Sequence, residues 1–222
     1  MYIELKGIKK NYGKKQVLTD INLKAASGQC IGILGGNGSG KSTLFSILAG
    51  VNKHNGGSFS CDGNELFKNK KLRRDLVGYV PQGTPLFEEL SAYDNLLLWY
   101  DKKEIEYQLS EGLLGILGLN TFLKTPVSKM SGGMKKRLAI GCSVANSPKI
   151  LLLDEPSAAL DLVCKERIAN YLKSFKANGG IILLATHDAG ELELCDEIYI
   201  LKNGILTKFN YDGNVHRLVG SL

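Results

Sequence analysis

A glycine-rich segment with the sequence GGNGSGKST (Gly35–Thr43) carries the most explicit chemistry in the chain. It matches the pattern G-x-x-x-x-G-K-[ST], and it lies where a short apolar strand gives way to helical spacing. Glycines let backbone N–H groups surround phosphate oxygens without side-chain clashes, and the helix N-terminus adds partial positive charge. We therefore predict a phosphate-binding loop, in which Lys41 reaches the β- and γ-phosphates and Ser42 holds Mg²⁺. Its binding residues are Gly35, Asn37, Gly38, Ser39, Gly40, Lys41, Ser42 and Thr43.

Two adjacent carboxylates follow a second apolar strand, in the sequence ILLLDE. Asp154 ends the strand, a position suited to ordering Mg²⁺ directly or through water. Glu155 emerges at the same sheet edge and supplies the carboxylate that could polarise an attacking water. Taken alone, the pair could simply end a strand with polar residues, but the phosphate loop upstream favours the catalytic interpretation.

Three further polar or aromatic residues lie at predicted strand ends. His187 follows IILLAT and is a candidate to contact the γ-phosphate or orient water, although a lone histidine is more often structural. Gln82 follows VGYVP and could contact Mg²⁺ or water, although surface glutamines are common. Tyr12 precedes a glycine turn and could stack on a base, or it could be a packing residue.

The elements that must position these residues alternate along the chain. The opening residues predict two antiparallel strands, and Asn203-Gly204 predicts a second, two-residue hairpin. Fully apolar strands alternate with helical segments such as Leu162–Lys176, which stops at Asn178–Gly180. This pattern indicates an α/β fold with a mainly parallel sheet and an N-terminal antiparallel β subdomain.

The predicted organisation is one domain over residues 1–222, which suits the chain length of 222 residues. The core spans approximately 1–82 and 146–222. Between them, 83–145 reads as a helical insertion, with Ser91 as a helix N-cap. Helix breaks are expected at Gly112, Gly115 and Gly118.

Composition excludes some classes of protein and leaves others open. The five cysteines are odd in number and scattered, so they predict neither a disulfide framework nor a zinc site. No apolar run approaches the ~18 residues that span a bilayer, and the first residues do not resemble a signal peptide. The net charge of +6 permits attraction to nucleic acid, anionic lipid or nucleotide but specifies none of them.

Two other segments have both an ordinary and a functional interpretation. The basic stretch KNKKLRRD (Lys68–Asp75) is most simply a solvated face, with nucleic-acid or lipid contact as the alternative. The apolar stretch LLLWY (Leu96–Tyr100) is most simply helix core, with an exposed partner groove as the alternative.

Together these motifs resemble the ATP-binding-cassette (ABC) ATPases, over roughly Tyr2–Phe209. The resemblance implies that ATP is bound with Mg²⁺, that Tyr12 stacks on adenine and that Gly35–Thr43 is the Walker A loop. It makes Gln82 the Q-loop glutamine, Asp154 the Walker B aspartate, Glu155 the catalytic glutamate, Ser157–Asp161 the D-loop and His187 the switch histidine. Gln82 then joins Ser42 and Asp154 as a metal ligand, and Lys41, Gln82, Glu155 and His187 carry catalysis.

The segment MSGGM (Met130–Met134) resembles the signature of this family, usually LSGGQ. In the family, two cassettes pack head to tail, and each ATP lies between the Walker A loop of one and the signature of the other. The resemblance implies that Ser131, Gly132 and Gly133 hold the γ-phosphate of the partner's ATP. Met134 replaces the usual glutamine, which leaves the hydrolysis rate, the dimer affinity and the choice between homodimer and heterodimer open.

The function implied is that of an Mg-dependent ATPase subunit of a transporter, peripheral to the cytoplasmic face of the cell membrane. A separate transmembrane permease subunit would dock near Gln82 and the insertion, with Leu86, Phe87 and Leu90 as contacts. The short cassette looks more like exporter than importer subunits. The alternative is a soluble ABC-type ATPase in nucleic-acid or assembly processes, although neither coiled-coil heptads nor a second Walker set is present. A third reading, a non-catalytic nucleotide-gated module, conflicts with the intact Glu155.

Overall fold

The computed structural model describes residues 1–158 and 160–211, and within them the strands form one mixed sheet. Ala159 of the predicted D-loop and 212–222 of the predicted core lie outside the described residues. The strands are β1 (Tyr2–Tyr12), β2 (Lys15–Ala26), β3 (Cys30–Leu34), β4 (Gly56–Cys61), β5 (Asn64–Glu65), β6 (Val77–Val80), β7 (Ile150–Asp154), β8 (Ile181–Ala185), β9 (Glu197–Lys202) and β10 (Ile205–Phe209). Their order across the sheet is β5-β4-β1-β2-β10-β9-β3-β8-β7-β6.

Helices pack on this sheet and connect its strands. They are α1 (Lys41–Ala49), α2 (Lys70–Leu76), α3 (Ala92–Leu97), α4 (Lys102–Ser110), α5 (Leu113–Ile116), α6 (Gly132–Ser143), α7 (Leu162–Ala177) and α8 (Ala189–Leu192). Short 3₁₀ turns span Leu119–Thr121 and Val127–Lys129. Within the described residues, no helix is long and apolar enough to cross a membrane.

The parallel part of the sheet consists of β9, β3, β8, β7 and β6, each parallel to its neighbour. Every residue of β3, β7 and β8 is buried, as expected for strands covered on both faces. The antiparallel part pairs β1 with β2 and β4, and β4 with β5. The predicted α/β fold with a parallel core and an N-terminal antiparallel subdomain is therefore confirmed.

The hairpin between β9 and β10 joins the two parts of the sheet. Asn203 and Gly204 form its turn with φ values of 52° and 74°, the left-handed backbone that a two-residue turn requires. Beyond the turn, Ile205 of β10 pairs in parallel with Asp20 of β2. The predicted hairpin thus connects the antiparallel subdomain to the parallel strands.

Hydrophobic residues form a core on each face of the sheet. One core includes Phe45 of α1 and Phe59 of β4, and the other includes Leu96 of α3, Leu138 of α6 and Ile168 of α7. The helical insertion, which contributes Leu96 and Leu138, therefore packs on one face of the sheet. Its boundaries at residues 83 and 145 remain a prediction. The cysteines are free thiols, of which Cys195 alone is partly exposed; the buried ones are Cys30, Cys61, Cys142 and Cys164.

The ends of the helices mostly follow the capping signals in the sequence. Ser91 caps α3 in a capping box with Asp94. Gly112 precedes α5 and Gly118 follows it in the left-handed region, but Gly115 lies inside the helix. The prediction of a break at Gly115 was therefore wrong. A Cβ there would approach the Leu109 carbonyl oxygen to 2.5 Å, so glycine serves close packing at this position.

Candidate nucleotide-binding site

Polar residues meet at one edge of the parallel sheet, beyond the carboxyl ends of its strands. The loop Gly35–Gly40 follows β3, Gln82 follows β6, Asp154 and Glu155 lie at the end of β7, and His187 follows β8. Because the strands are parallel, these ends share one edge, where open α/β sheets bind ligands. The structure thus brings together residues that are far apart in the sequence.

The loop before α1 has a backbone that only glycine adopts without strain at two positions. Gly38 has φ of 78°, and Gly40, the N-cap of α1, has φ of 110°. The loop borders an open cavity of about 510 Å³. The cavity is lined by Lys15, Val17, Asn37, Gly38, Ser39, Gly40, Lys41, Ser42, Thr43, Gln82 and Glu155.

Lys41 places a cation inside this loop. Its side chain is buried, and Nζ donates to the carbonyl oxygen of Gly35 at 2.6 Å. Burial lowers the pKa of Lys41, while the nearby carboxylates of Glu155 and Asp154 act in the opposite direction. An ammonium group beside backbone donors at a helix N-terminus is suited to binding an anion such as a phosphate.

Asp154 is a buried carboxylate with spare coordinating capacity. Its side chain is 1% exposed, and Oδ2 has no hydrogen-bond partner among the described residues. Burial raises the pKa of Asp154, and a hydrogen bond with the Ser42 side chain partly offsets that effect. An unpaired buried carboxylate oxygen next to a hydroxyl fits a hard cation such as Mg²⁺, which prefers oxygen ligands.

Glu155 is held in an unusual backbone conformation and contacts two other candidate residues. Its φ is 50°, and its N–H donates to the Ala185 carbonyl oxygen at 2.8 Å. Gln82 Nε2 donates to Glu155 Oε2 at 2.9 Å, and His187 Nε2 lies 3.9 Å from Glu155 Oε1. Left-handed φ is uncommon outside glycine, and such strain concentrates at functional sites. Here the strained residue presents its carboxylate to the cavity.

Tyr12 lies on the β1–β2 hairpin that also carries the cavity residue Lys15. Its side chain is 49% exposed, and the Lys10 ammonium lies 4.7 Å from its ring centroid. Tyr12 is therefore a surface side chain whose ring a base could reach, and not a core packing residue.

The signature segment lies apart from this cavity, at the N-terminus of α6. Ser131 is the N-cap, and its Oγ accepts a hydrogen bond from the Met134 N–H at 3.2 Å. Ser131 and Gly132 are exposed, whereas Gly133 is buried against Cys164. None of these residues lines the cavity in the described part of the chain. One chain therefore carries two separate phosphate-binding candidates.

Sequence reasoning missed three residues at or behind the site. Lys15 and Val17 line the cavity, and their signal was their position just after the Tyr12 turn. Lys136 of α6 is buried and contacts the segment that contains Gln82. A lysine in the basic run KKR carried no signal that it would be buried.

The fold and the phosphate loop define a P-loop nucleotide-binding protein. A family profile described as "ABC transporter" matches residues 18–158, which is more than half of the chain. The chain therefore belongs to the ABC transporter family.

Known relatives agree with this assignment over most of the chain. The lantibiotic transport ATP-binding protein SrtF of Streptococcus pyogenes is 35% identical, over 96% of this chain and 92% of that protein. The Nod factor export ATP-binding protein I of Sinorhizobium fredii is 34% identical, over 98% of this chain and 64% of that protein. A solved dimeric ATP-binding cassette, in a post-hydrolysis state with ADP and Pi, is 28% identical with a TM-score of 0.82, over 94% of this chain and 98% of that one.

Proposed function

We propose that this chain is the ATP-binding and ATP-hydrolysing subunit of a membrane transporter, whose translocation path is a separate polypeptide. The observation that carries the proposal is the placement of Glu155, which borders the phosphate-loop cavity, accepts a hydrogen bond from Gln82 and lies beside His187. A binding module without catalysis has no need of a strained, oriented carboxylate at that position.

The phosphate loop binds the triphosphate of ATP in this proposal. Backbone N–H groups of Gly38 to Thr43 and the Lys41 ammonium pair with phosphate oxygens. Tyr12 stacks on the adenine from the neighbouring hairpin. Ser42, Gln82 and Asp154 offer a hydroxyl, an amide and a carboxylate to Mg²⁺, which neutralises charge on the phosphates when bound.

Hydrolysis follows from the position of Glu155. The attacking water gives a proton to the Glu155 carboxylate as its oxygen bonds to the γ-phosphorus. The bond from that phosphorus to the β–γ bridging oxygen breaks, which leaves ADP and phosphate. Lys41 and His187 stabilise the negative charge on the γ-phosphoryl group during its transfer to water, and Gln82 keeps the carboxylate oriented.

Two copies of the cassette close head to tail around ATP in this proposal. The exposed N-terminus of α6 supports it, because Ser131 and the N–H groups of Gly132 and Gly133 are available to a phosphate from outside the chain. A similar cassette is a dimer in its solved structure. The partner is a second copy or a related cassette.

Met134 provides a test of how the signature works. Its side chain is only partly buried against the hydrophobic core. A polar side chain at this position would therefore stay in contact with solvent. We expect Met134→Gln to leave the steady-state ATPase rate equal or raised, because glutamine adds a hydrogen-bonding group near the partner's nucleotide. A large drop in rate, measured by phosphate release, would contradict this assignment.

The membrane partner is proposed to dock on an apolar surface of the helical region. The prediction that Leu96–Tyr100 is helix core holds for Leu96, whereas Tyr100 is buried beyond the end of α3 and Trp99 is 59% exposed. Leu97 and Leu98 are also exposed, as is Phe87. A groove of about 250 Å³ beside Trp99 is lined by Tyr79, Pro85 and Leu86, close to Gln82 in the chain. A permease helix in this groove would contact the segment that contains Gln82. The Gln82 side chain donates a hydrogen bond to Glu155.

Other observations bear on localisation and direction of transport. This chain would be peripheral to the cytoplasmic face of the membrane, where ATP is available. An exporter is favoured because one relative above is named for Nod factor export, while the other is named only for lantibiotic transport. The basic helix α2 is mostly exposed, as a solvated face would be, and a salt-sensitive ATPase stimulation by DNA would be needed to favour a nucleic-acid role.

The transporter assignment is tested by recovery of the chain with its membrane subunit. Affinity-tagged chain, purified from detergent-solubilised membranes of its own cells, should retain a polypeptide with membrane spans. Trp99→Ala should lower that recovery, since aromatic anchors dominate such interfaces. Val51→Ala, which removes another exposed apolar side chain, is the matched control. Recovery that is unchanged by Trp99→Ala, or a tagged chain that retains no polypeptide with membrane spans, would count against transport.

A further inference from the structure

Lys136 of α6 is a buried cation that the mechanism above does not use. Its side chain is 5% exposed, and an ammonium in that position is costly unless it is paired. Nζ donates to the carbonyl oxygens of Pro81 at 3.0 Å and Gln82 at 3.1 Å. Burial lowers the pKa of Lys136, while the carboxylates of Asp154 and Glu155 act in the opposite direction.

These contacts connect the two phosphate-binding candidates of one chain, which are the signature segment and the cavity beside the phosphate loop. Ser131 begins α6, where the partner's nucleotide would bind, and Lys136 lies further along the same helix. Lys136 fixes the backbone of Gln82, and the Gln82 side chain donates to Glu155 at 2.9 Å. A rigid helix that shifts at its N-terminus would therefore move the backbone that carries Gln82.

We propose that Lys136 is a positioning residue, which holds Gln82 against Glu155 and ties the position of the signature helix to the catalytic carboxylate. The inference rests on the proposed ATPase function. Lys136 does not line the cavity within the described residues, so it acts through Gln82 and does not touch the nucleotide. Space filling alone would be served by an apolar side chain, which costs less to bury.

The neighbouring Lys135 offers a matched control. It also lies on α6 and pairs with Glu88 at 2.8 Å, but its contact is nearer the surface and does not involve Gln82. Lys135→Met removes the same charge and a hydrogen bond from the same helix. Any effect of helix charge or helix packing alone should therefore appear in both lysine variants.

The experiment compares Lys136→Met, Lys136→Gln and Lys135→Met in the intact protein. Lys136→Met should lower kcat by roughly 10-fold to 100-fold, the range for a misplaced catalytic group, with ATP affinity within about twofold. Lys136→Gln should fall between Met and the wild type, because neutral donors bond carbonyls about half as strongly as charged ones. Amide hydrogen exchange at Gln82 should speed up in the same order, and Lys135→Met should match the wild type in both readouts.

Several results would overturn the inference. One is a wild-type kcat in Lys136→Met, and another is an equal kcat loss in Lys135→Met. A parallel loss of kcat, ATP affinity and melting temperature, with no gain in Lys136→Gln, would show a purely structural role. If Lys136→Met does not fold, the Lys136→Gln variant decides, since wild-type kcat and exchange there would reject the positioning role. An inactive wild type would instead refute the proposed ATPase function.

Discussion

Glu155→Gln should abolish ATP turnover and leave ATP binding intact. The amide has nearly the shape of the carboxylate and can still accept a hydrogen bond from Gln82, but it cannot take a proton from water. Loss of a positioned general base costs roughly 10²–10⁴ in rate. With hydrolysis blocked, ATP should hold two cassettes together, so gel filtration with ATP and Mg²⁺ should show a dimer.

The control for Glu155→Gln is a variant that loses a carboxylate elsewhere on the surface. Glu166→Gln removes an exposed carboxylate on α7 and should hydrolyse ATP at the wild-type rate. Glu155→Gln that still releases phosphate within a few fold of wild type would remove Glu155 from its catalytic role. Monomeric behaviour of Glu155→Gln at saturating ATP would instead argue against closure of two cassettes around nucleotide.

Lys41→Ala should weaken ATP binding by roughly 10-fold to 100-fold. A hydrogen bond that involves a charged group contributes about 1.5–3 kcal/mol, and this substitution removes the ammonium from the phosphate loop. It also removes the hydrogen bond to the Gly35 carbonyl oxygen, which helps to hold the loop. Titration with a fluorescent ATP analogue measures the affinity directly.

The matched control for that experiment is Lys70→Ala, which removes an exposed lysine at the start of α2, away from the cavity. Its affinity for ATP should equal that of the wild type. If Lys41→Ala also bound ATP with unchanged affinity, the glycine-rich loop would not be the phosphate site. An equal loss in both variants would point to net charge and not to a specific contact.

Local sequence patterns were sufficient to predict most of the fold. The glycine turns, the apolar strands and the helix caps are local features, so the glycine-rich loop between β3 and α1, the β9–β10 turn at Asn203 and the cap at Ser91 were predicted correctly. Helix α7 ended one residue beyond its predicted limit, at Ala177. The error at Gly115 arose because a glycine that permits close packing has the same sequence signal as one that breaks a helix.

Contacts within the site could be predicted only in part. Strand-end positions placed Gln82, Glu155 and His187 at one edge, because parallel strands end together. The hydrogen bond from Gln82 to Glu155 depends on the relative twist and register of β6 and β7, which no local pattern specifies. The left-handed backbone of Glu155 and the burial of Lys136 likewise depend on tertiary packing.

If one ATP is bound by Lys41 of one cassette and Ser131 of its partner, a mixture of two inactive variants should regain ATPase activity. Lys41→Ala should be unable to bind ATP well, and Ser131→Asp should repel the partner's γ-phosphate while its side chain still caps α6. A mixed dimer keeps one intact composite site.

Phosphate release by each variant alone and by an equal mixture is the decisive measurement. We predict that each variant alone is nearly inactive. The mixture should recover up to roughly a quarter of the wild-type rate, because random pairing makes about half of the dimers mixed, with one working site each. Wild-type activity in Ser131→Asp alone, or a mixture no more active than the average of its components, would contradict the shared site.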